Sequence, residues 1–205
     1  MALKEFFPTL VSIGRLPNKI SGPMNREMMR RLEEIRRLDG AGREWSTENY
    51  RSGYTSYSSA DDLTRRFPVF DQLQERLAKP ALEYARALDF EMKGRRLEMT
   101  TCWINAMGRG CHHSAHIHPL SHLSGTYFVS VPRGSGSFKI EDPRLVNFMN
   151  SPARRDAARE RNRRFIEITP EPGMFVLFES WLRHEVPANN SKETRVSISF
   201  NYDLV

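Results

Sequence analysis

The sequence predicts an α+β protein in which helices come first and a β sandwich or barrel follows. Two observations lead to this fold class. Apolar residues recur at helical spacing in two stretches between residues 24 and 88, whereas the chain from residue 96 onward consists of short apolar runs separated by Gly and Pro. Helices followed by many short strands are typical of α+β domains, and short strands with such punctuation indicate a sandwich or barrel.

Composition bounds the class of protein. The chain has 205 residues, of which 39% are hydrophobic and 10% aromatic, so residues 1–205 can form one domain with a buried core. A net charge of +6 permits an acidic partner, yet charge alone indicates little more than solubility and weak association. We therefore expect no nucleic-acid partner, although the charge does not exclude one.

The location of the protein is predicted from what its sequence lacks. It has no apolar run of membrane-spanning length, and its first residues lack the apolar region of a secretory signal. Cys102 and Cys111 match neither a disulfide framework nor a CxxC motif, so we expect reduced thiols. The prediction is a cytoplasmic protein without a membrane partner, and a homodimer is left open.

The first 94 residues form the predicted helical support region. One amphipathic helix is expected over Met24–Leu38, and a second should begin near Pro68 and be kinked or broken at Pro80. Leu3–Ile13 is interpreted as an irregular edge strand. Residues 42–59 lack a sustained period and are interpreted as a long loop, with a short strand around Tyr54.

Residues 95–205 form the predicted β core, with one helical insertion. That helix is expected over Ser151–Arg164, where Pro152 suits the first helical position and the six arginines suit a solvated surface. The strands alternate apolar and polar residues or are short apolar runs. They are predicted at Arg96–Ala106, Ser114–His118, Gly125–Val131, Ser137–Ile140, Phe165–Ile168, Met174–Phe178, His184–Val186 and Arg195–Tyr202.

Five of the six histidines lie between residues 111 and 131, which is difficult to explain as packing. Residues two apart in a strand point to the same face, so His116 and His118 can both reach one metal ion. Imidazole is the commonest protein ligand for transition metals. We interpret these two histidines as a ligand pair that the remote His184 completes, and the remaining histidines, His112, His113 and His122, as ordinary residues.

Several motifs occur together in the C-terminal half. They are Trp103–Asn105, His116–Pro119, Leu123–Val129, Gly173–Phe178, His184–Val186 and Arg195–Ser197. In order and spacing they resemble the Fe(II)- and 2-oxoglutarate-dependent oxygenases, in particular the prolyl-hydroxylase-like branch and a set of bacterial and phage proteins within it. The resemblance implies a double-stranded β-helix, or jelly roll, with the N-terminal helices packed on one sheet.

The resemblance also implies roles for individual residues. His116 matches the first ligand of the family's HxD pair, and His184 matches the distal histidine. Arg195 would bind the distal carboxylate of 2-oxoglutarate, assisted by Ser197, and Asn105 would contact cosubstrate or substrate. The implied activity is hydroxylation of an unknown small molecule or protein side chain, with Fe(II), 2-oxoglutarate and dioxygen as cofactors.

The sequence departs from the family at one position. His118 stands where the family has aspartate, so the metal ligands would be His116, His118 and His184, without a carboxylate. Three alternatives therefore stay open: a three-histidine dioxygenase of cupin type that does not use 2-oxoglutarate, a non-catalytic metal-binding or interaction protein on the same fold, and a zinc hydrolase. Dependence of 2-oxoglutarate binding on Arg195 would distinguish the first from the oxygenase.

Overall fold

Two antiparallel sheets stacked on each other form the core, and helices cover the outer face of the larger one. A computed structural model of the chain describes residues 1–144 and 149–205. Its strands are β1 Ser12–Arg15, β2 Gly53–Thr55, β3 Leu97–Met107, β4 His113–His116, β5 Leu123–Ser130, β6 Phe138–Glu141, β7 Phe165–Ile168, β8 Met174–Glu179, β9 His184–Val186 and β10 Arg195–Leu204. The helices are α1 Asn18–Leu38, α2 Gly40–Asn49, α3 Leu63–Arg66 and α4 Pro68–Ala87.

The strand order identifies the fold as the expected jelly roll. The large sheet runs β1-β8-β5-β10-β3-β2, and the small sheet runs β4-β9-β6-β7. Neighbouring strands of both sheets are antiparallel. In each sheet, strands distant in sequence are paired, so residues from the middle and the end of the chain meet between the sheets.

The main core lies between the helices and the large sheet. α1 and α4 each bury one stripe of apolar side chains, including Met28, Leu32, Leu73 and Leu77. Against them pack the even-numbered residues of β10, namely Val196, Ile198 and Phe200. Burial of such side chains contributes about 1.5–3 kcal/mol each, so this layer holds the large sheet rigidly.

The opposite face of β10 carries polar residues into the space between the sheets. Because strand residues alternate, Arg195, Ser197, Ser199 and Asn201 share that face. Arg195, Ser197 and Asn201 are buried. Two small apolar clusters lie beside this polar row. One contains Phe128, Phe138, Ile140, Val176, Phe178 and Leu182, and the other contains Tyr50, Met107, Cys111 and Val186.

The predicted loop over residues 42–59 is wrong in its first half. Those residues complete α2, whereas the short strand expected around Tyr54 is present as β2. α2 buries only Gly42 and Ser46, so it has no apolar stripe from which a helix could be predicted. It is held instead by polar contacts: the Asp39 carboxylate accepts hydrogen bonds from the Gly42 amide and the Tyr54 hydroxyl, both 2.8 Å long.

The predicted helix over Ser151–Arg164 is also wrong, because the segment contains only a short 3-10 helix at Glu160–Asn162. Ala158 is its one buried apolar residue, and a short helix that buries no apolar face lacks the tertiary packing that stabilises helices in proteins. The edge strand expected over Leu3–Ile13 begins only at Ser12. Residues 1–10 are exposed.

The remaining elements agree with the predictions to within a few residues. α1 begins six residues earlier than expected, and α4 continues through Pro80 without breaking into two helices. The buried stripe around Pro80, which includes Leu77 and Ala81, explains why the helix persists despite the missing N–H. Cys102 and Cys111 are free and buried. Within the described ranges, none of the helices is long and apolar enough to cross a membrane.

Candidate metal and cosubstrate site

A cavity of about 510 Å³ lies between the two sheets. Its walls include residues of α2, β3, β4, β9 and β10. The aromatic residues Trp45, Tyr57 and Trp103 also line it, and the rings of Tyr57 and Trp103 are in contact. All six residues that the sequence singled out for binding line this cavity: Asn105, His116, His118, His184, Arg195 and Ser197.

Three histidines converge at one point of the cavity. Ligand nitrogens of His116, His118 and His184 all lie within 4.8 Å of one another. His116 and His184 are paired residues of β4 and β9, so strand pairing brings them together. His118 lies two residues beyond the end of β4, and its backbone N–H donates to the Ser180 carbonyl over 2.9 Å.

The hydrogen bonds of these rings leave the same nitrogen free in each. Nδ1 of His116 is 2.7 Å from the Ser114 carbonyl, and Nδ1 of His184 is 2.8 Å from the Leu182 carbonyl. A carbonyl can only accept, so both Nδ1 atoms carry the proton and both Nε2 atoms offer a lone pair. His118 places its Nδ1 2.8 Å from Oδ1 of Asn201. Such partners orient histidines that bind metals.

The three imidazoles are in the protonation state that a metal requires. Burial lowers the pKa of His118 to about 4, lowers the pKa of His116, and holds the pKa of His184 well below its usual range. Buried histidines resist protonation because a charged ring loses its hydration. At neutral pH the rings are therefore uncharged, and their lone pairs are available to a metal ion.

The donor set fits a divalent transition metal, although it lacks the carboxylate expected for Fe(II) oxygenases. Among the described residues, the group that converges here contains histidines alone. Imidazole suits iron, zinc, copper and nickel, and three imidazoles at an octahedral ion leave three positions for other ligands. A site without the carboxylate carries one more positive charge, which favours a dianionic second ligand.

Arg195 is a buried cation that has no anionic partner among the described residues. It is 1% exposed, its Nη1 contacts Sδ of Met107 at 3.2 Å, and its Nε has no hydrogen-bond partner within the described part of the chain. The guanidinium also lies 5.3 Å from the centre of the Phe128 ring. Burial lowers its pKa to about 10, so it stays charged at neutral pH. An isolated buried charge is costly, and a bound carboxylate would relieve that cost.

Tyr50 is a cavity residue that the sequence did not single out. It lies at the end of α2, and its buried hydroxyl interacts with the Cys111 thiol but has no hydrogen-bonding oxygen or nitrogen among the described residues. Its ring stacks on His113 with centroids 4.7 Å apart. The only sequence signal was its place within residues 42–59, because an aromatic residue in a polar segment does not by itself indicate a ligand contact.

The other predicted residues have differing surroundings. Ser197 lines the cavity two residues along β10 from Arg195. Asn105 is occupied within the chain: its Oδ1 accepts from the Thr55 hydroxyl over 2.8 Å, and its Nδ2 donates to the Ser199 hydroxyl over 3.0 Å. His122 lies at the surface, with Nδ1 3.1 Å from the Asp203 carboxylate. The two other histidines, His112 and His113, line the cavity.

Sequence comparison identifies the family. Residues 101–201 match the family described as "Putative 2OG-Fe(II) oxygenase". The chain belongs to the 2OG-Fe(II) oxygenase superfamily. In this oxygenase the matched segment contains the three histidines, Asn105, Arg195 and Ser197, whereas Tyr50 lies outside it. No curated protein sequence matches the chain.

Solved structures of low sequence identity share the oxygenase fold. A prolyl-4-hydroxylase from Pseudomonas putida is 15% identical, with a TM-score of 0.57 over 95% of this chain and 92% of that chain. EctD from S. alaskensis, solved with 2-oxoglutarate and 5-hydroxyectoine, is 14% identical, with a TM-score of 0.65 over 95% and 72% of the chains. HygX from Streptomyces hygroscopicus, with nickel and 2-oxoglutarate bound, is 16% identical, with a TM-score of 0.57 over 95% and 83%.

Proposed function

We propose that this oxygenase uses Fe(II), 2-oxoglutarate and dioxygen to hydroxylate a small molecule or a protein side chain. One observation carries the proposal: the buried guanidinium of Arg195, whose Nε has no hydrogen-bond partner among the described residues, lines the same cavity as the three convergent histidines. A metal site and an anion site in one cavity match a cosubstrate that has a 2-oxo acid at one end and a carboxylate at the other.

His116, His118 and His184 would hold Fe(II) through their Nε2 atoms, because each Nδ1 is already engaged. Bound iron would supply the oxidative chemistry that couples decarboxylation of 2-oxoglutarate to oxygen insertion into a substrate C–H bond. The protein contributes orientation and electrostatics to such a reaction. With three neutral ligands the ion would keep its full charge of +2, which favours a cosubstrate that brings a carboxylate to the metal.

The distal carboxylate of 2-oxoglutarate would lie against Arg195. Nε has a free hydrogen, and the planar guanidinium can bind a carboxylate through two charge-assisted hydrogen bonds. Ser197 projects from the same face of β10, and the buried hydroxyl of Tyr50 belongs to the same cavity. Together these side chains offer donors to a carboxylate while the Tyr50–Met107–Cys111–Val186 cluster excludes water around it.

The substrate would approach along the aromatic side of the cavity. The Trp103 ring lies 5.6 Å from His118 and 5.0 Å from Tyr57, measured between centroids. Tyr57 and Trp45 are half exposed. This side is built partly by residues 42–59, which supports a role for that segment in substrate selection. We also propose a cytoplasmic location, which the free thiols of Cys102 and Cys111 support.

The test is turnover of 2-oxoglutarate without added substrate. Anaerobically purified protein given Fe(II), 2-oxoglutarate and dioxygen should produce succinate above the level of a His184→Ala variant. Equal succinate from both proteins would contradict the oxygenase proposal. Calorimetric titration of 2-oxoglutarate into the cobalt-loaded protein gives a second readout that is independent of activity.

Within the described part of the chain the histidine group includes no carboxylate, which favours one alternative, a three-histidine dioxygenase that does not use 2-oxoglutarate. Arg195 separates the two functions. If 2-oxoglutarate binds to the metal-loaded protein and Arg195→Met abolishes that binding, the cosubstrate belongs to the site. If the native protein binds no 2-oxoglutarate but consumes dioxygen with another substrate, the alternative is favoured.

A further inference from the structure

We infer that Asn201 is a positioning residue that makes His118 a full metal ligand, so that the site presents three imidazoles rather than two histidines and a vacant position. The inference rests on the proposed function, since it concerns the metal site of the oxygenase. It assigns a role to a residue outside the metal and cosubstrate motifs of the sequence.

His118 needs support that the other two histidines do not. His116 and His184 are held by the β4–β9 pairing, whereas His118 follows the last residue of β4. Its neighbours Ile117 and Leu120 are exposed, Leu120 almost fully. A side chain beyond the end of a strand is not oriented by strand pairing, so another interaction must aim its ring at the metal position.

Four residues form a closed ring of hydrogen bonds that fixes His118 at two points. Its backbone N–H donates to the Ser180 carbonyl over 2.9 Å, and its Nδ1 lies 2.8 Å from Asn201 Oδ1. The Ser124 hydroxyl donates to the same Oδ1 over 2.8 Å and lies 2.7 Å from the Ser180 hydroxyl. Ser124, Ser180 and Asn201 are buried, so the hydrogen bonds among these three side chains are protected from competing water.

The large sheet itself places Asn201 in this ring. Asn201 of β10 is paired with Ser124 of β5 on one side and with Thr101 of β3 on the other. Its Nδ2 donates to the Thr101 hydroxyl over 3.0 Å. With Nδ2 directed at β3, the carbonyl oxygen Oδ1 is directed at Ser124 and His118.

The orientation of this amide decides which nitrogen of His118 is free. Oδ1 can only accept, so its partner Nδ1 carries the proton and Nε2 offers its lone pair toward His116 and His184. The reversed amide would donate to Nδ1 and leave the proton on Nε2, where it would block coordination. Asn201 therefore selects the tautomer of His118 that can bind a metal ion, and it fixes the ring plane at the same time.

The experiment measures Co²⁺ affinity, by competition with a chelator, and the number of imidazole ligands, by X-ray absorption of cobalt-loaded protein. Asn201→Leu should weaken binding about 10- to 100-fold, the usual effect of removing such a partner, and should reduce the count from three imidazoles to about two. Asn201→Asp, which can only accept, should keep three imidazoles and bind at least as tightly as the native chain. Ser199→Ala is the matched control, because it removes a hydroxyl from the same face of β10.

A double-mutant cycle excludes a general effect on folding. In a His118→Ala background, Asn201→Leu should cause no further loss of Co²⁺ affinity, because its effect acts through His118. An equal loss in both backgrounds, or a leucine variant with native affinity and three imidazoles, would overturn the inference. If Asn201→Leu does not fold, Ser124→Ala replaces it and should weaken binding in the native background only. A native protein that binds Co²⁺ no better than His184→Ala would instead refute the proposed function.

Discussion

His116 and His184 face each other across the β4–β9 pair, with ring centroids 4.3 Å apart. This pair exists because β4 and β9 pair at these two residues, after a register shift between His113 and His116. Each ring is further held by a backbone carbonyl two residues before it in the chain. His118 joins them from outside the strand through contacts with three other parts of the chain. The three-histidine site therefore combines a rigid pair with a third ring whose position depends on side-chain hydrogen bonds.

Removal of His118 tests whether it is a ligand. His118→Ala should weaken Co²⁺ binding by more than the roughly 10- to 100-fold that loss of a supporting partner causes, since a donor atom is lost. His122→Ala is the control, because that ring is exposed and lies beside Asp203. Unchanged affinity in His118→Ala would show that the ion is held by two histidines, and chelator competition measures both variants.

Arg195→Met should act in opposite directions on stability and on cosubstrate binding. Replacing a buried, unpaired charge by an apolar side chain of similar length should stabilise the protein without ligand by about 1–4 kcal/mol. The same change should cost about 2–5 kcal/mol of 2-oxoglutarate binding, at least a roughly 30-fold rise in Kd.

Urea unfolding and calorimetry measure the two effects of Arg195→Met separately. Arg109→Met, at an exposed position, should change neither. A variant of Arg195 that is less stable and still binds 2-oxoglutarate normally would show that the guanidinium is a structural group.

Tyr50→Phe removes one buried hydroxyl that interacts with the Cys111 thiol and has no hydrogen-bonding oxygen or nitrogen among the described residues. Because a thiol is a weak partner, the free energy of unfolding should change little, whereas 2-oxoglutarate affinity should fall by about 0.5–1.5 kcal/mol if the hydroxyl donates to the cosubstrate. Tyr54→Phe is the matched control: it loses the bond to Asp39, so its stability should fall while its affinity is kept. The reverse pattern would exclude Tyr50 from the cosubstrate site.

The stability of the metal-free protein should decrease in acid. Burial lowers the pKa of His113 to about 3 and that of His118 to about 4, so the unfolded chain, with histidines near 6.5, binds more protons between those values. Stability contributed by the neutral rings is thus complete above about pH 6.5 and is lost as the pH falls. His113→Asn should flatten the pH dependence between pH 4.5 and 6 by up to about 1.4 kcal/mol per pH unit. Urea midpoints measured across that range give the pH dependence of stability. A His113→Asn variant with the same pH dependence as the native protein would contradict the prediction.

Elements with a strong local pattern could be predicted from the sequence, and elements without one could not. α1 and α4 have apolar stripes that bury one face, β10 alternates polar and apolar residues over its ten residues, and β3 alternates over its first four. α2 has no such stripe. It is held by the Asp39 carboxylate, which accepts hydrogen bonds from the Gly42 amide and from the hydroxyls of Tyr54 and Ser59, and Ser59 is 20 residues from Asp39 in sequence. The arginine-rich segment resembles a helix in its composition but has no face to bury.

The sequence by itself determined the superfamily, the jelly roll and the candidate residues, because residue type, order and spacing are local properties of the chain. Only the tertiary structure decided how His118 is oriented and that Tyr50 meets Arg195 in one cavity. The alternation of side chains predicts their direction only within a strand. Both His118 and Tyr50 lie just beyond the end of an element, His118 after β4 and Tyr50 after α2. Their orientation comes from partners far away in sequence, Asn201 for one and the apolar cluster around Met107 and Cys111 for the other.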